Sequence, residues 1–333
     1  MQRAERLRVG LAGAGMISRH HLIAWSRLES VQVVAVCDPD QGRAQARAAE
    51  FAIPEVYGTV EDLLNGTAID AIDIATPRET HVDLVRLAAA RGIDVLCQKP
   101  LAPDFGEAKA LVADVGGSAR LMVHENWRFR PYYRQAKAWL EAGLIGGVEA
   151  FRLAAISSGL LPDADGRRPA LERQPFLAHE RRLIIAELLI HHLDVARWLL
   201  GPLKVSGTDI SHGDAPVVGE TGADIRLVTE TGAPVEVIGD WAASGQPARP
   251  GDVMAITGAR GTLRLAGHRL ELNGVERRSL TYDPAAAYQA SFDAAIAHFV
   301  DCLRSGGAFE TDGTDNLATL QLVDAAYAAA GVA

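Results

Sequence analysis

Over the first 126 residues, short apolar runs take turns with segments of helical spacing. Leu7–Ala12, Val31–Cys37, Ala71–Ala75, Val95–Cys97 and Leu121–His124 are nearly unbroken apolar runs, as in strands covered on both faces. Between them lie Met16–Leu28, the alanine- and arginine-rich Asp40–Phe51, the short Val60–Leu64, Glu79–Arg91 with apolar positions at Val82, Val85, Leu87 and Ala89, and Phe105–Val115. Strands alternating with helices of this length predict an α/β fold, a parallel sheet doubly wound by helices.

Beyond Asn126 the rhythm changes. Tyr132–Glu141 reads as a helix and Val148–Ser157 as a strand. Leu160–His179, rich in Pro, Arg and Asp, reads as a long loop and a candidate lid. Leu183–Leu200 is a strongly apolar helix ended by Gly201-Pro202. Strand-like runs follow at Val205–Ile210, Ala223–Thr229, Val235–Ala242, Val253–Thr257, Gly261–Leu265 and Arg269–Leu272, joined by turn signals such as Leu272-Asn273-Gly274. Successive strands with short turns predict an antiparallel sheet. Helices Tyr288–Arg304 and Asp315–Ala330 close the chain. The expected division is a dinucleotide-binding domain over 1–126 and an α+β domain over 127–333, with the C-terminal helix packing back on the first domain.

The stretch Val9–Ser18, VGLAGAGMIS, carries the first chemistry. A strand ends in Gly13-Ala14-Gly15 and passes at once into a helix. Gly13 permits a tight turn, Gly15 lets a pyrophosphate approach the backbone, and the helix start at Met16 and Ile17 offers N–H groups and partial positive charge. Ser18 stands where a third glycine is usual and is small enough for close packing. Asp38 ends the second strand twenty residues later, where an acid accepts from an adenosine ribose and repels a 2′-phosphate. NAD is therefore expected over NADP. Asp38, Thr76, Pro77, Lys99 and Asn126 all fall at carboxyl ends of strands, where such sheets bind ligands.

Composition narrows the rest. A net charge of −9 without a Lys/Arg cluster argues against a nucleic-acid partner. No signal peptide is visible, no apolar stretch approaches a membrane span, and the three cysteines, Cys37, Cys97 and Cys302, lack Cys-x-x-Cys spacing. Reduced thiols in a cytoplasm are the expectation.

In the helix LIIAELLIHHLDVARWLL, Glu187, His191 and Asp194 are spaced four and three apart, which puts them on one face, with His192 elsewhere. Two readings stand. His191 is a buried histidine satisfied by local carboxylates, or a proton acceptor that titrates near neutrality. A metal site here is disfavoured because zinc wants more His or Cys. Lys99 is either a solvated lysine or a donor to a substrate oxygen, with its proton more labile beside an oxidised nicotinamide. Asn126 and Trp127 offer a polar and an aromatic surface to a polyhydroxylated substrate, and Arg128 either joins them or pairs structurally with a carboxylate.

These residues resemble the glucose–fructose oxidoreductase / inositol dehydrogenase / rhizopine-catabolism (Gfo/Idh/MocA) family over essentially the whole length. The carrying motifs are VGLAGAG, ATPRETH at Ala75–His81, CQKP at Cys97–Pro100, ENWRFRP at Glu125–Pro131 and ELLIHHLDVARWLLG at Glu187–Gly201. The resemblance implies a Rossmann domain, a second domain with a large, open, mostly antiparallel sheet, a homodimer or homotetramer, and NAD(P)-linked oxidation of a sugar or cyclitol. It implies a cofactor set of Gly13, Gly15, Met16, Ile17, Asp38, Thr76, Pro77, His81, Gln98 and Lys99. Lys99, His191 and Glu187 are implied as catalytic, and Asn126 and Trp127 join those three against the substrate. No metal is implied. Two departures stand out: Gln98 replaces the usual glutamate and Glu187 the usual aspartate.

Within the family, the QKP and ENWRF pairing is most similar to sugar dehydrogenases acting at an anomeric carbon, such as apiose dehydrogenases. Inositol 2-dehydrogenase is the alternative. Readings of other classes are an NAD-retaining glycoside hydrolase, marked by tightly held NAD without net NADH, a sugar or NAD sensor, which would not need Lys99 and His191, and a structural subunit that binds no NAD.

Overall fold

The computed structural model describes residues 6–249 and 251–332. They divide into two compact units: the described residues of Met1–Phe129 with Tyr288–Leu320, and those of Arg130–Ala287 with Gln321–Ala333.

The first unit contains strands β1 (Leu7–Ala12), β2 (Val31–Cys37), β3 (Glu55–Tyr57), β4 (Ala71–Ile74), β5 (Asp94–Gln98) and β6 (Leu121–His124). Between them run helices α1 (Ser18–Ser26), α2 (Gln41–Phe51), α3 (Val60–Gly66), α4 (His81–Ala89) and α5 (Phe105–Val115). The sheet order is β3-β2-β1-β4-β5-β6, with every pairing parallel. Its central strands are buried on both faces, which is why their sequence does not alternate. Local chemistry sets the helix starts. Asp40, Thr59 and Asp104 each accept from the backbone N–H three residues on.

In the second unit α6 (Pro131–Glu141) leads to β7 (Val148–Ile156), α7 (Pro169–Arg173) and α8 (Ile190–Leu200). Strands β8 (Leu203–Ser211), β9 (Gly222–Thr229), β10 (Pro234–Asp240), β11 (Asp252–Gly258), β12 (Gly261–Ala266), β13 (Arg269–Asn273) and β14 (Arg277–Thr281) follow. The eight-stranded order is β14-β13-β12-β11-β7-β10-β9-β8, antiparallel except for β7 with β10. In β11 buried and exposed residues alternate, so this part of the sheet covers a core on one side only. The chain ends in α9 (Pro284–Ser305) and α10 (Gly313–Ala329). Phe292, Ile296 and Phe299 of α9 share a core with Val9, Trp25, Leu96 and Met122 in the first unit.

The doubly wound parallel sheet and the mostly antiparallel second sheet are those the sequence predicts. Four details differ. The three-residue β3 is too short to show a pattern. All five residues of β14 are exposed on a sheet edge, so it carries no apolar alternation, and its two arginines blunt the edge. The Leu160–His179 segment is not one loop: it holds α7 and a 3-10 turn at Pro175–Ala178. The predicted helix Leu183–Leu200 opens with a π-helical turn, Ile185–Leu189, in which the N–H of Ile190 bonds to the carbonyl of Ile185.

Candidate active site

The carboxyl ends of β1, β2, β4, β5 and β6 form one rim, because all five strands run in parallel. Gly13 sits at φ +95°, and a Cβ there would lie 2.6 Å from the carbonyl oxygen of Ala75. Its N–H donates to the carbonyl of Cys37 at 2.8 Å, tying β1 to β2. Gly15 is different: a Cβ built on it meets nothing within 4 Å, and its φ is not in the left-handed region. Nothing inside the protein requires a glycine there. The free space faces outward beside the start of α1, where a phosphate group can approach unpaired N–H groups. Met16, next along, exposes 52% of its surface.

Asp38 does more than the sequence suggests. One carboxylate oxygen accepts from the N–H of Ala14 and the other from the N–H of Asp40, both at 2.8 Å. The acid expected at a ribose thus ties down the glycine turn, and each oxygen keeps a further lone pair. Ser18, fully buried, donates to the carbonyl of Gly15 at 2.6 Å. Arg47 of α2 donates to the same carbonyl and to Ser18 Oγ.

Further along the rim, His81 joins two strand ends. Its Nδ1 lies 2.7 Å from the carbonyl of Pro100 and its Nε2 3.0 Å from that of Thr76. Burial holds its pKa below the usual histidine value. With 1% of its surface exposed, His81 is packed between the Thr76-Pro77 and Lys99-Pro100 turns, and the single N–H of a neutral ring serves the nearer carbonyl, that of Pro100. The Gln98 side-chain oxygen accepts from the Lys99 N–H at 2.8 Å. Gln98 and Lys99 are both half-buried.

At the end of β6, Asn126 is buried and donates to Ser291 of α9 at 2.7 Å. The Trp127 ring meets that of Tyr288 edge-on at 6.4 Å. Arg128 is structural: 2% exposed, it donates to the carbonyl of Glu310 and pairs with Asp315 at 2.8 Å.

The second unit carries Glu187, His191 and Asp194. Glu187 lies in the π turn Ile185–Leu189, a wider coil than the even helical spacing predicts, while His191 and Asp194 lie in α8. Glu187 is half-buried, His191 is 5% exposed and Asp194 is fully buried, with Arg197 at 3.6 Å. His192 points away, as its position predicts, with Nε2 3.0 Å from Asp252 Oδ1. Asp252 also accepts from Arg130 at 2.6 Å and from the Tyr132 hydroxyl at 3.0 Å. Burial alone would raise the Asp252 carboxyl, but the Arg130 guanidinium and the His192 N–H outweigh it and hold the group well below the usual carboxylate range.

Glu220 anchors the start of this segment. Its buried carboxylate accepts from the N–H groups of Leu183 and Ile185, both at 3.1 Å, and from the Tyr327 hydroxyl at 2.6 Å. Tyr327 in turn accepts from the N–H of Ala186 at 3.3 Å. No local pattern in the sequence points to Glu220, Tyr327, Asp252 or the buried Asp73, because each partner lies far along the chain. A lone acid inside an apolar strand, as at Asp73, is the one signal available. Among the described residues, no group of three or more His, Cys, Asp or Glu could hold a metal ion, and no helix is long and apolar enough to cross a membrane.

Comparison with known proteins shows the family. Residues 7–123 match the GFO/IDH/MocA oxidoreductase family, NAD-binding Rossmann fold, and residues 133–264 match the GFO/IDH/MocA C-terminal domain. A D-apiose dehydrogenase of Paraburkholderia graminis is 36% identical over 98% of this chain and 88% of its own. Inositol 2-dehydrogenase 4 of Saccharopolyspora erythraea is 29% identical over 97% of this chain and 93% of its own. The crystal structure of an oxidoreductase from Agrobacterium radiobacter, in complex with NAD+, L-tartaric acid and magnesium, superposes with a TM-score of 0.90 at 34% identity, covering 98% of this chain and 96% of that one.

Proposed function

This chain belongs to the GFO/IDH/MocA family of NAD-binding oxidoreductases, and from that premise we propose that it oxidises an aldose at its anomeric carbon to the lactone. The observation that carries the cofactor side is Gly15, whose missing side chain serves no packing need of the protein. The turn Gly13–Gly15, the N–H groups at Met16 and Ile17 and the remaining lone pairs of Asp38 fit a pyrophosphate and an unphosphorylated ribose. Thr76, Pro77 and Lys99 belong to the same cofactor rim, and His81 and Gln98 hold its turns. NAD held by these residues would supply the acceptor for the hydride of the carbinol C–H.

His191 takes the hydroxyl proton, a transfer suited to an imidazole at neutral pH. Lys99 donates a hydrogen bond to the same oxygen and stabilises the charge that develops there. Glu187 orients His191 or a neighbouring sugar hydroxyl, with one methylene more reach than an aspartate. Asn126 and Trp127 contribute a polar group and an aromatic face to sugar recognition. The similarity to a D-apiose dehydrogenase over nearly the whole chain supports an aldose as substrate. Similarity to an inositol 2-dehydrogenase supports the second reading, oxidation of a ring hydroxyl to a ketone.

The test is NADH formation by purified protein across aldoses, D-apiose first, and cyclitols, with NAD and NADP side by side. A strong rate on one aldose with NAD is the expected result. Preference for an inositol moves the reading to the ketone product. Silence across the panel with NAD bound refutes the dehydrogenase reading in favour of a sensor or an NAD-retaining hydrolase. The same reading includes a homodimer or homotetramer, supported by the exposed Val253, Ala255, Thr257 and Thr262 on the outer face of the second sheet. Sedimentation at micromolar concentration tests it, and a monomer overturns it.

A further inference from the structure

We infer that Gln98 is a positioning residue that sets the backbone of Lys99 through a buried hydrogen-bond chain ending on Asp73. The inference rests on the proposed role of Lys99.

The chain begins deep in the first unit. Asp73 and His21 expose none of their surface. Asp73 Oδ2 accepts from Trp25 Nε1 at 2.7 Å and lies 2.8 Å from His21 Nδ1. A carboxylate oxygen accepts, so Nδ1 of His21 carries the hydrogen, and a neutral ring then leaves a lone pair on Nε2. That lone pair faces the side-chain nitrogen of Gln98 at 3.2 Å, and an amide nitrogen donates. The amide oxygen is therefore turned the other way, where it accepts from the Lys99 N–H at 2.8 Å.

Each link dictates the next. Flipping the amide would set oxygen against a lone pair at His21 and N–H against N–H at Lys99, so its orientation follows from chemistry. His21 has little freedom to turn out of the arrangement. Its ring packs against those of His124, with centroids 4.2 Å apart, and Phe292, at 5.4 Å.

The consequence falls on Lys99. Its N–H is held by Gln98, and the carbonyl of the following Pro100 is held by His81. The backbone is gripped on both sides, so the ammonium starts from a set point and only its stem moves. A glutamate at position 98 could still accept from Lys99, but a carboxylate only accepts, so it would meet His21 favourably only if Nε2 carried a second proton on a ring already facing Asp73. Glutamine suits the neutral relay, and this gives the departure at Gln98 a physical reason.

The experiment uses the NAD-saturated enzyme on its best substrate from the panel, comparing Gln98→Leu, Gln98→Glu and Lys99→Ala with the parent. Amide hydrogen exchange of the peptide containing Lys99 is followed in parallel. Gln98→Leu is expected to lower kcat about tenfold to a hundredfold, the scale of a small misplacement of a reacting group, with the KM for NAD within about twofold. Exchange at Lys99 should rise about tenfold. Gln98→Glu, which keeps the acceptor, should fall between. Parent-like kcat or unchanged exchange in Gln98→Leu overturns the inference. So does a loss confined to the KM for NAD, which would make Gln98 a plain cofactor contact. If Lys99→Ala keeps kcat, the reading of Lys99 fails instead, and the exchange data still decide whether Gln98 grips its backbone.

Discussion

Glu220 offers a sharp test of how the segment bearing Glu187 and His191 is held. Its carboxylate, 2% exposed, accepts from two backbone N–H groups at the start of the π turn and from Tyr327. Glu220→Ala strands all three donors in a buried place. Each unsatisfied donor costs roughly 1–3 kcal/mol, and partial rescue by entering water brings the sum to about 3–5 kcal/mol. For a chain of this size that corresponds to a melting point lower by about 4–7 °C. Tyr327→Phe removes one hydroxyl and should cost about 1 kcal/mol. Because the two side chains share a bond, the double variant should lose less than the sum of the single losses by about 1 kcal/mol. Scanning calorimetry on the four proteins gives the numbers. A Glu220→Ala loss below about 1 kcal/mol, or strict additivity with Tyr327→Phe, would refute the capping role.

Other outcomes follow from the same coordinates. Gly15→Ala should leave the melting point within about 1 °C, since its Cβ meets nothing, yet weaken NAD binding at least tenfold by calorimetric titration; Gly13→Ala should destabilise the fold as well, because its Cβ strikes the Ala75 carbonyl. Asp252 has its pKa depressed in the folded state, so its contribution is complete above the unfolded carboxyl value of about 4 and is lost as pH falls through the lower folded value. The stability gap between parent and Asp252→Asn, in urea melts, should be constant above about pH 5 and narrow in acid; a gap that widens in acid would show the sign to be wrong. Burial and the nearby Asp38 push the Cys37 thiol up to about 12, and burial raises Cys97 and Cys302 as well. At pH 8 none of the three should react with a disulfide reagent until the chain is unfolded; rapid labelling of the native protein would contradict the packing.

The sequence by itself determined the strand–helix alternation, the parallel winding, the glycine turn and the acid at Asp38. Each is a local signal: a run of apolar residues, a glycine needed for a turn, a residue at a strand end. It also placed Asp38, Thr76, Pro77, Lys99 and Asn126 on one rim, because parallel strands bring their carboxyl ends together whatever lies between them. Tertiary structure alone decided the rest. The role of Gln98 depends on the hydrogen that Asp73 draws to one nitrogen of His21, and those three residues come from β5, β4 and α1. The same holds for Arg128 against Asp315, for Asp252 between Arg130 and His192, and for Glu220 beneath Tyr327. Nor does the spacing of Glu187 and His191 announce the π turn, which widens the coil where Glu220 and Tyr327 take up the N–H groups of residues 183–186. Periodicity reports which face of an element meets the core, but a buried polar group needs a specific partner, and that partner is chosen by the fold.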